Sequence, residues 1–361
     1  MRIAVCVNHF DPFKGGCEIV TKKIAEHYAK KHTVRIFTRH TIKRKESNIG
    51  SLSISSYNPS NTNSFLKRIQ EYKPEFTLIY SDVFDFFNVA IETLNNVCLA
   101  FCGGNRVCEK PYALKFLKDR KDKIKNFVCH TENERDYRMA RQIGILDKTH
   151  IIPNGIDLEE FDNNNIGRKE LGIPFVEGFW LLNVSNFFPG KGQIHLIDIL
   201  KRTKTRPLTY IQVCSSVEFS IGKQLESQWR AKANSLKGDV NVVIMKDKSR
   251  EKVVSAFNNS NCFAFSSEKE SAGLVLLESM AASCPWVSAN VGISSDIEGG
   301  KVVIAAKNAQ YNAIFDDRVK DEFATKIDEC LSDPELGDNG RENVENDYQW
   351  KYILPLYDGL L

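Results

Sequence analysis

Short apolar runs alternate with amphipathic segments along the first half of the chain. Four runs rich in β-branched and aromatic residues predict strands, and they are MRIAVCVNH, HTVRIFTR, FTLIYS and VCLAFC. The segment CEIVTKKIAEHYAKK carries Val20, Ile24 and Tyr28 at the spacing of one helix face, and NSFLKRIQEY and ERDYRMARQIG show similar patterns. This order of strands and helices predicts an α/β fold with a doubly wound parallel sheet.

The pattern changes around HIIPNGIDLEEFDNNNIG, where Pro153, Asn154 and Gly155 predict a turn that a polar linker follows. A second series of strands and helices then begins. Its predicted strands are FWLLNVSN, LTYIQVC, VNVVIM, NCFAFSS, PWVSAN and KVVIAA. We therefore expect two Rossmann-like domains, residues 1–155 and residues 156–343, which bind a ligand in the cleft between the carboxyl ends of their strands.

Length and composition agree with this division. A chain of 361 residues is too long for one ordinary core. Its 42% hydrophobic and 26% charged residues are typical of a globular protein in water. No apolar run approaches the roughly 18 residues of a membrane span. The N-terminus MRIAVCVNHF has no signal-peptide hydrophobic region, so we expect a cytoplasmic protein.

The two halves differ in the sign of their charge. Residues 1–155 contain 26 Lys and Arg against 16 Asp and Glu, whereas the remainder contains 23 against 30. A basic first half suits an anionic partner such as phospholipid, a lipid pyrophosphate or nucleic acid. A solvated, lysine-rich surface explains the same numbers about as well.

The cysteines are scattered among apolar neighbours, as reduced thiols in a core would be. The ten are Cys6, Cys17, Cys98, Cys102, Cys108, Cys129, Cys214, Cys262, Cys284 and Cys330. The cluster CLAFCGGNRVC lacks the paired C-x2-4-C spacing of a structural zinc site. We therefore predict no metal site.

Two carboxylates lie eight positions apart in EKESAGLVLLE, at Glu270 and Glu278. NCFAFSS predicts a buried strand and SAGLVLLESMAA the helix after it, so Ser271, Ala272 and Gly273 would present backbone N–H groups at the helix N-terminus. These groups suit a diphosphate, Glu270 suits hydroxyl groups at the rim, and Glu278 suits a ribose. The alternative places Glu270 as a helix-dipole residue and Glu278 on a solvated face. The apolar run around Glu278 argues against that alternative.

Two glycine-containing turns offer further contacts with phosphate. In FDPFKGGCE, Gly15 and Gly16 join the first strand to the first helix and would let a phosphate approach the backbone. In NVSNFFPGKGQIHL, Lys191 and Gly192 lie at the mouth of another helix, where a lysine can neutralise a diphosphate. A tight turn and a solvated lysine are the alternatives at these two places.

Taken in order, these segments resemble the GT-B fold, and specifically the retaining glycosyltransferases of family 4. The resemblance extends over nearly the whole chain. It rests on GGCE, HTENERDYRMARQIGI with IIPNGIDLEEF, VSNFFPGKG, the E-x7-E element and the terminal NDYQWKYILPLYDGLL. The terminal segment resembles the helix that crosses back to the first domain, so we expect residues from about 344 to 361 to return there.

The resemblance implies a donor site with a role for each matched residue. Glu270 would contact hydroxyls of the donor sugar, Glu278 the ribose and Lys191 the diphosphate, which makes Glu270 and Lys191 the predicted catalytic residues. Gly16 would approach the diphosphate from the other domain, and Lys246 would lie near the base. The further predicted donor-binding residues are Gly15, Asn186, Arg250, Val253, Ser271, Ala272, Gly273 and Leu274.

The sequence departs from the family pattern at three places. Asn186 stands where the family has an arginine, so Lys191 or Arg250 would have to compensate for the missing cation. Ala272 replaces an aromatic residue, which would reshape the sugar pocket. Where the family often has a histidine on the acceptor side, this sequence has the region of Cys102, Gly103 and Asn105.

The resemblance implies transfer of a sugar from a nucleoside diphosphate to a hydroxyl acceptor, with retention at the anomeric carbon. The departing diphosphate would take the acceptor proton, so that positive charge on this leaving group is the main contribution of the protein. No metal and no permanently bound cofactor are expected, and a UDP- or GDP-sugar is the expected co-substrate. A nucleotide-sugar epimerase or an inactive nucleotide-binding homologue of the same fold is the alternative.

The acceptor has two candidate classes. Envelope polysaccharide or glycolipid is favoured, and KFLKDRKDKIKNF, with Phe116, Leu117, Ile124 and Phe127 among lysines, could lie as a helix on the inner face of an anionic membrane. An ordinary helix with its apolar side packed on the sheet is the alternative. Hydroxylated DNA is the second acceptor class, for which the basic first domain would contact the phosphates.

Overall fold

The computed structural model describes two compact units. They comprise Met1–Gly155 with Trp350–Leu361, and Ile156–Gln349. The described residues are all except 11–14, 40–45, 58–61, 82–83, 102–109, 134, 175–176, 217–219, 237 and 239.

The first unit contains a sheet with helices on both faces. Its described strands are β1 (Arg2–Val7), β2 (Thr33–Arg39), β3 (Glu46–Ile49), β4 (Leu52–Tyr57), β5 (Phe76–Tyr80), β6 (Val97–Ala100), β7 (Ile124–Cys129) and β8 (Thr149–Ile151). Its described α-helices are α1 (Gly16–Ala29), α2 (Thr62–Tyr72), α3 (Phe84–Thr93), α4 (Pro111–Asp119), α5 (Arg135–Ile143) and the terminal Trp350–Asp358.

The strand order of this sheet is β3-β4-β2-β1-β5-β6-β7-β8, and every pair is parallel except β3 with β4. Both faces are buried, as a parallel sheet requires. In β1, Ile3 and Val5 belong to the core on one face, while Ala4 and Cys6 belong to the core on the other. The near-continuous apolar run of this strand thus supplies two hydrophobic layers.

The second unit repeats the architecture with six strands among its described residues. They are β9 (Phe179–Val184), β10 (Leu208–Cys214), β11 (Val240–Lys246), β12 (Cys262–Phe265), β13 (Trp286–Ala289) and β14 (Gly300–Val303). The described α-helices of the unit are α6 (Glu159–Asp162), α7 (Gln193–Leu200), α8 (Ser220–Ala233), α9 (Arg250–Asn258), α10 (Leu274–Ala281), α11 (Asp317–Ser332) and α12 (Glu335–Asp347).

All strands of the second sheet run parallel in the order β11-β10-β9-β12-β13-β14. This is the 3-2-1-4-5-6 order of a dinucleotide-binding fold, in which ligands bind beyond the carboxyl ends of the strands near the point where the order reverses. That point lies between β9 and β12. The predicted fold class, two doubly wound α/β units, is confirmed.

The C-terminal segment divides between the two units. Helix α12 and residues up to Gln349 belong to the second unit, whereas α13 (Trp350–Asp358) belongs to the first. Within the first unit, Tyr28 donates a hydrogen bond from its hydroxyl to the carbonyl of Tyr357 at 2.8 Å. The segment that joins the first unit therefore begins at residue 350 rather than near 344.

The predicted membrane-surface helix around residues 115–127 is wrong. Helix α4 ends at Asp119, and Ile124 begins strand β7. Leu117, Ile124 and Phe127 are fully buried in the core of the first unit. The alternative, an ordinary helix with its apolar side packed on the sheet, fits Leu117 of α4, whereas Ile124 and Phe127 belong to strand β7 of the sheet itself.

The cysteines that the structure describes carry free thiols, and all but the half-buried Cys17 are buried. Their burial confirms the predicted position of these thiols in the core. Within the described part of the chain, no helix is both long enough and apolar enough to cross a membrane.

Candidate functional site

The loop between β9 and α7 packs closely against the segment that follows β12. Gly192 has a φ of +68°, and a Cβ at this position would overlap the carbonyl oxygen of Ser266. Glu268 donates from its backbone N–H to the carbonyl of Gly190 at 2.8 Å, and the Ser267 hydroxyl oxygen lies 3.1 Å from the same carbonyl. The glycines at positions 190 and 192 therefore allow two loops at the carboxyl edge of the sheet to meet.

This contact brings Lys191 and Glu270 together. Their side chains form an ion pair, and the Ser267 hydroxyl donates to Oε1 of Glu270 at 2.8 Å. The side chain of Glu270 is 10% exposed and that of Lys191 is 31% exposed. Both predicted catalytic residues thus lie in one partly buried cluster, where the lysine can exchange its carboxylate partner for another anion.

The N-terminus of α10 adjoins Glu270. Gly273 precedes this helix with φ +80° and ψ +58°, and among the described residues the N–H groups of Gly273 and Leu274 have no backbone acceptor. A hydrogen bond from the N–H of Ile293 to the carbonyl of Ala272, at 3.2 Å, fixes the loop before α10. A helix N-terminus with open N–H groups beside a lysine is a favourable place for phosphate oxygens.

Glu278 is buried within α10 and pairs with Arg250. The residue is 4% exposed, and Nη1 of Arg250 donates to its Oε1. Burial raises the pKa of the Glu278 carboxyl, and the charge and hydrogen bond of Arg250 lower it. The alternative position of Glu278 on a solvated face is wrong.

Arg250 also binds a second carboxylate. Its Nε and Nη2 donate to the two oxygens of Glu160 at 2.8 and 2.7 Å. Burial lowers the pKa of Arg250, but Glu278 and Glu160 raise it by more, so that the net shift is upward. Arg250 is therefore a partly buried cation between two anions, the buried Glu278 and the more exposed Glu160.

Three other predicted residues make a hydrogen bond, an ion pair and a packing contact, respectively. Oδ1 of Asn186 accepts a hydrogen bond from the N–H of Ser215 at 2.7 Å, which joins the loops after β9 and β10. Lys246 pairs with Glu226 at 2.7 Å. Val253 packs, partly buried, against the core of the second unit.

The remaining predicted residues lie at different places. Ser271 and Ala272 are buried beside Gly273. Gly15 and Gly16 belong to the first unit, where Gly15 precedes α1 and a Cβ on it would overlap the Glu18 carboxylate. The acceptor-side residues Cys102, Gly103 and Asn105 lie outside the described residues.

The sequence prediction missed a second carboxylate near Glu270 in the chain, that of Glu268. Oε1 of Glu268 lies 3.0 Å from Nε2 of His195, and the His195 ring stacks on Phe315 with centroids 4.8 Å apart. The backbone carbonyl of Glu268 accepts from the N–H of Ala313 at 2.7 Å. Glu268 stands two residues before Glu270 in EKE, which is a signal that could have indicated it.

Glu160 was also missed, since it lies 90 positions from Arg250 and nothing local connects them. Within the described residues, no group of three or more His, Cys, Asp or Glu side chains is arranged to hold a metal ion.

Comparisons with known proteins find similarity within the second unit. Residues 172–347 match the family described as glycosyl transferases group 1. The capsular polysaccharide biosynthesis glycosyltransferase CapM of Staphylococcus aureus is 27% identical over 225 residues, which cover 58% of this chain and 53% of CapM. The chain thus spans about half the length of this curated relative. The loops at Lys191, Arg250 and Glu270 all lie inside the matched family segment.

Solved structures share the fold over almost the whole chain. Sucrose-phosphate synthase from Thermosynechococcus elongatus has a TM-score of 0.80 at 19% identity and covers 99% of this chain and 98% of its own. Anabaena Alr3699/HepE in complex with UDP-glucose has a TM-score of 0.72 at 15% identity, with coverage of 99% and 98%. The Escherichia coli structure described as trehalose-6-phosphate bound with UDP-2-fluoro glucose has a TM-score of 0.75 at 12% identity, with coverage of 100% and 99%. At these identities the likeness shows the fold alone, which is GT-B.

Proposed function

We propose that this protein is a glycosyltransferase of the GT-B type that transfers a sugar from a UDP-sugar to a hydroxyl group of an envelope polysaccharide or glycolipid, with retention and without a metal. The observation that carries the proposal is the cluster of Lys191 and Glu270 beside the N-terminus of α10. It lies at the strand edge where this fold binds nucleotides. UDP is favoured because the Anabaena and Escherichia coli structures hold UDP-sugars.

The diphosphate would bind between Lys191 and the first N–H groups of α10. In the structure Lys191 pairs with Glu270, so an arriving diphosphate would take over the lysine and leave Glu270 for the sugar hydroxyls. Cations and helix N–H groups aimed at the leaving oxygens stabilise the charge that develops there in the transition state. Asn186 supplies no cation, which makes Lys191 the more important.

The ribose would bind Glu278. A carboxylate can accept hydrogen bonds from both hydroxyls of a vicinal diol. Arg250 opposes the effect of burial on the pKa of Glu278, and so helps to keep this acceptor ionised. Lys246, the last residue of β11, and Val253, in α9, are proposed to lie near the base.

Retention requires the acceptor to attack the face that the diphosphate leaves. The bond between the anomeric carbon and the β-phosphate oxygen breaks, the bond to the acceptor oxygen forms, and the acceptor proton passes to the departing phosphate. The protein then contributes binding and charge stabilisation rather than a separate base. We assign the donor role mainly to the second unit, with Gly15 and Gly16 of the first unit as further donor contacts. The acceptor role is assigned to the first unit, in the region of Cys102, Gly103 and Asn105.

An envelope glycan is the favoured acceptor because CapM acts in capsular polysaccharide biosynthesis by its name. Such an acceptor would be met at the inner face of the membrane. The excess of Lys and Arg in residues 1–155 is compatible with an anionic lipid carrier.

A panel of UDP- and GDP-sugars tests the donor half of the proposal. We expect slow hydrolysis of one UDP-sugar without acceptor, with the free sugar first appearing in the anomeric form of the donor by NMR. Glu270→Gln and Lys191→Gln should each lower this rate about 100-fold, the scale of losing one group that stabilises a transition state. Glu251→Gln, an exposed glutamate in the first turn of α9, is the control and should retain the rate.

Two outcomes would contradict the proposal. Thermal stabilisation by UDP without turnover of any donor, even with extracted lipid-linked glycans added, would indicate an inactive nucleotide-binding homologue. Conversion of the nucleotide sugar into its epimer, with no release of UDP, would indicate an epimerase.

A further inference from the structure

A basic cavity lies in the first unit at the amino-terminal edge of its sheet. It has a volume of about 440 Å³, and its lining includes the cationic side chains of Arg2, Arg35, Arg68 and Lys73 with one carboxylate, Glu71. This size falls in the range of about 300–1,000 Å³ that is usual for small-molecule sites. The proposed transfer uses none of these residues.

One cation of the lining, Arg35, comes from the sheet itself. Arg35 is the third residue of β2, and Phe37, on the same side of the strand, belongs to the core. The Tyr72 hydroxyl donates to the carbonyl of Thr33 at 2.7 Å, which fixes the end of α2 over β2. The Arg35 guanidinium then lies 4.9 Å from the centre of the Tyr72 ring. The strand, the helix and the aromatic ring together hold this cation in place.

Two described carboxylates near the cavity already have partners. Glu71 lies 3.9 Å from Lys67 outside the lining, and Glu75 accepts a hydrogen bond from the backbone N–H of Arg2 at 2.8 Å. Arg68 donates to the carbonyl of Ser56 at 2.7 Å. The described lining therefore contains four cationic side chains and one carboxylate.

Arg35 has an unmet hydrogen-bond donor. Its Nε is buried and has no acceptor among the described residues. Buried donors without partners are uncommon in native proteins and call for an explanation such as a missing ion. A guanidinium fork matches two oxygens of a phosphate better than any other protein cation does.

We propose that this cavity binds a soluble phosphate-bearing anion, such as a diphosphate or a sugar phosphate. Within the described lining there is no aliphatic side chain that would enter a lipid layer, which favours a soluble anion over a lipid headgroup. Arg2 begins β1, whereas Gly16 follows its carboxyl end, so the anion would lie at the edge of the sheet opposite to the glycine turn. The cavity is independent of the proposed donor site.

Titration calorimetry of the full chain with inorganic pyrophosphate tests the proposal. Because pyrophosphate can also occupy the donor site, Lys191→Gln serves as the background that weakens that site. In this background we expect Arg35→Gln and Lys73→Gln each to weaken pyrophosphate binding about tenfold, as loss of a charged hydrogen bond implies. Arg141→Gln and Lys125→Gln, exposed residues of the same unit outside the lining, are the matched controls and should leave the affinity unchanged.

A parallel arm uses vesicles of phosphatidylcholine with phosphatidic acid. Pyrophosphate binding that depends on Arg35 but not on Arg141 supports the proposal. Binding that is equal in the Arg35→Gln and Arg141→Gln variants overturns it. Vesicle binding that depends on Arg35, without binding of pyrophosphate, also overturns it and assigns the cavity to a lipid headgroup. Circular dichroism of each variant confirms that it is folded.

Discussion

At the scale of single residues, Arg250 is the charge partner of Glu278, the buried carboxylate of the candidate site, whose pKa burial raises despite this partner. It donates to Glu278 through Nη1 and to both oxygens of Glu160 through Nε and Nη2. Removing one member of a buried ion pair leaves the other charge uncompensated, which costs more than the pair itself contributes. The three side chains therefore act as one unit.

We predict that Arg250→Met destabilises the second unit by about 3 kcal/mol, the lower end of the cost of breaking a buried pair, because the Arg250 side chain is 28% exposed. The double variant Arg250→Met with Glu278→Gln should recover a large part of this loss, since no buried carboxylate is then left alone. Urea unfolding of the two single variants and the double variant measures the coupling. Equal losses in Arg250→Met and the double variant would show that Glu278 does not depend on Arg250.

At the scale of elements, the site depends on two loops that meet closely. The loop between β9 and α7 carries Lys191, and the loop between β12 and α10 carries Glu270. Gly192 is the point of closest approach, because a Cβ there would overlap the carbonyl oxygen of Ser266.

We predict that Gly192→Ala separates these loops and lowers both stability and donor hydrolysis. Gly172→Ala is the matched control, since Gly172 has nearly the same φ of +70° but nothing within 4 Å of a Cβ. The control should lose only about 1 kcal/mol of stability from backbone strain and should retain its hydrolysis rate. Gly192→Ala should lose clearly more stability in the same unfolding assay. Equal effects of the two variants would exclude the proposed role of the close contact.

The same elements show how far sequence alone could predict the molecule. Strands with continuous apolar runs, such as β1 and β10, were predictable because both faces of a parallel sheet are buried. The short edge strands β3 and β8 lack such runs and were not predicted. Ile124 and Phe127 were assigned to a helix because lysines surround them, although the strand partner that buries them lies elsewhere in the chain.

For the site, the local neighbours of Glu270 could be predicted, and the distant contacts could not. The placement of Ser271, Ala272 and Gly273 before α10 follows from a strand, a glycine and an apolar run. Lys191 lies 79 positions from its partner Glu270, and Glu160 lies 90 positions from its partner Arg250, so only the folded arrangement identifies these pairs. The family resemblance supplied Lys191, but it did not supply Glu160.

At the scale of the whole molecule, the two units contain different titratable groups, and acid should affect them differently. In the first unit His130 is buried between the ends of two elements, with Nε2 2.8 Å from the Tyr80 hydroxyl and Nδ1 2.8 Å from the carbonyl of Ile152. The carbonyl can only accept, so Nδ1 donates and Nε2 accepts from Tyr80, which is the neutral form of the ring. Burial lowers the pKa of His130, and the hydrogen bond to Ile152 opposes this only in part.

The pKa of His130 in the folded protein lies below its ordinary value of 6.5, which applies to the unfolded chain. The neutral ring therefore stabilises the fold above pH 6.5, and this stability is lost as the pH falls from 6.5 toward the folded pKa. We predict that the first unit loses up to about 1.4 kcal/mol between pH 7.5 and 5.5 from His130. His9, whose pKa burial and Arg39 also lower, acts in the same direction. His130→Asn should therefore be less stable at pH 7.5 but show a weaker pH dependence. Hydrogen exchange at both pH values measures this in β5 and β7, with β10 and β12 of the second unit as the internal control. An equal loss of amide protection in both units, or an unchanged pH dependence of protection in His130→Asn, would contradict the assignment to His130.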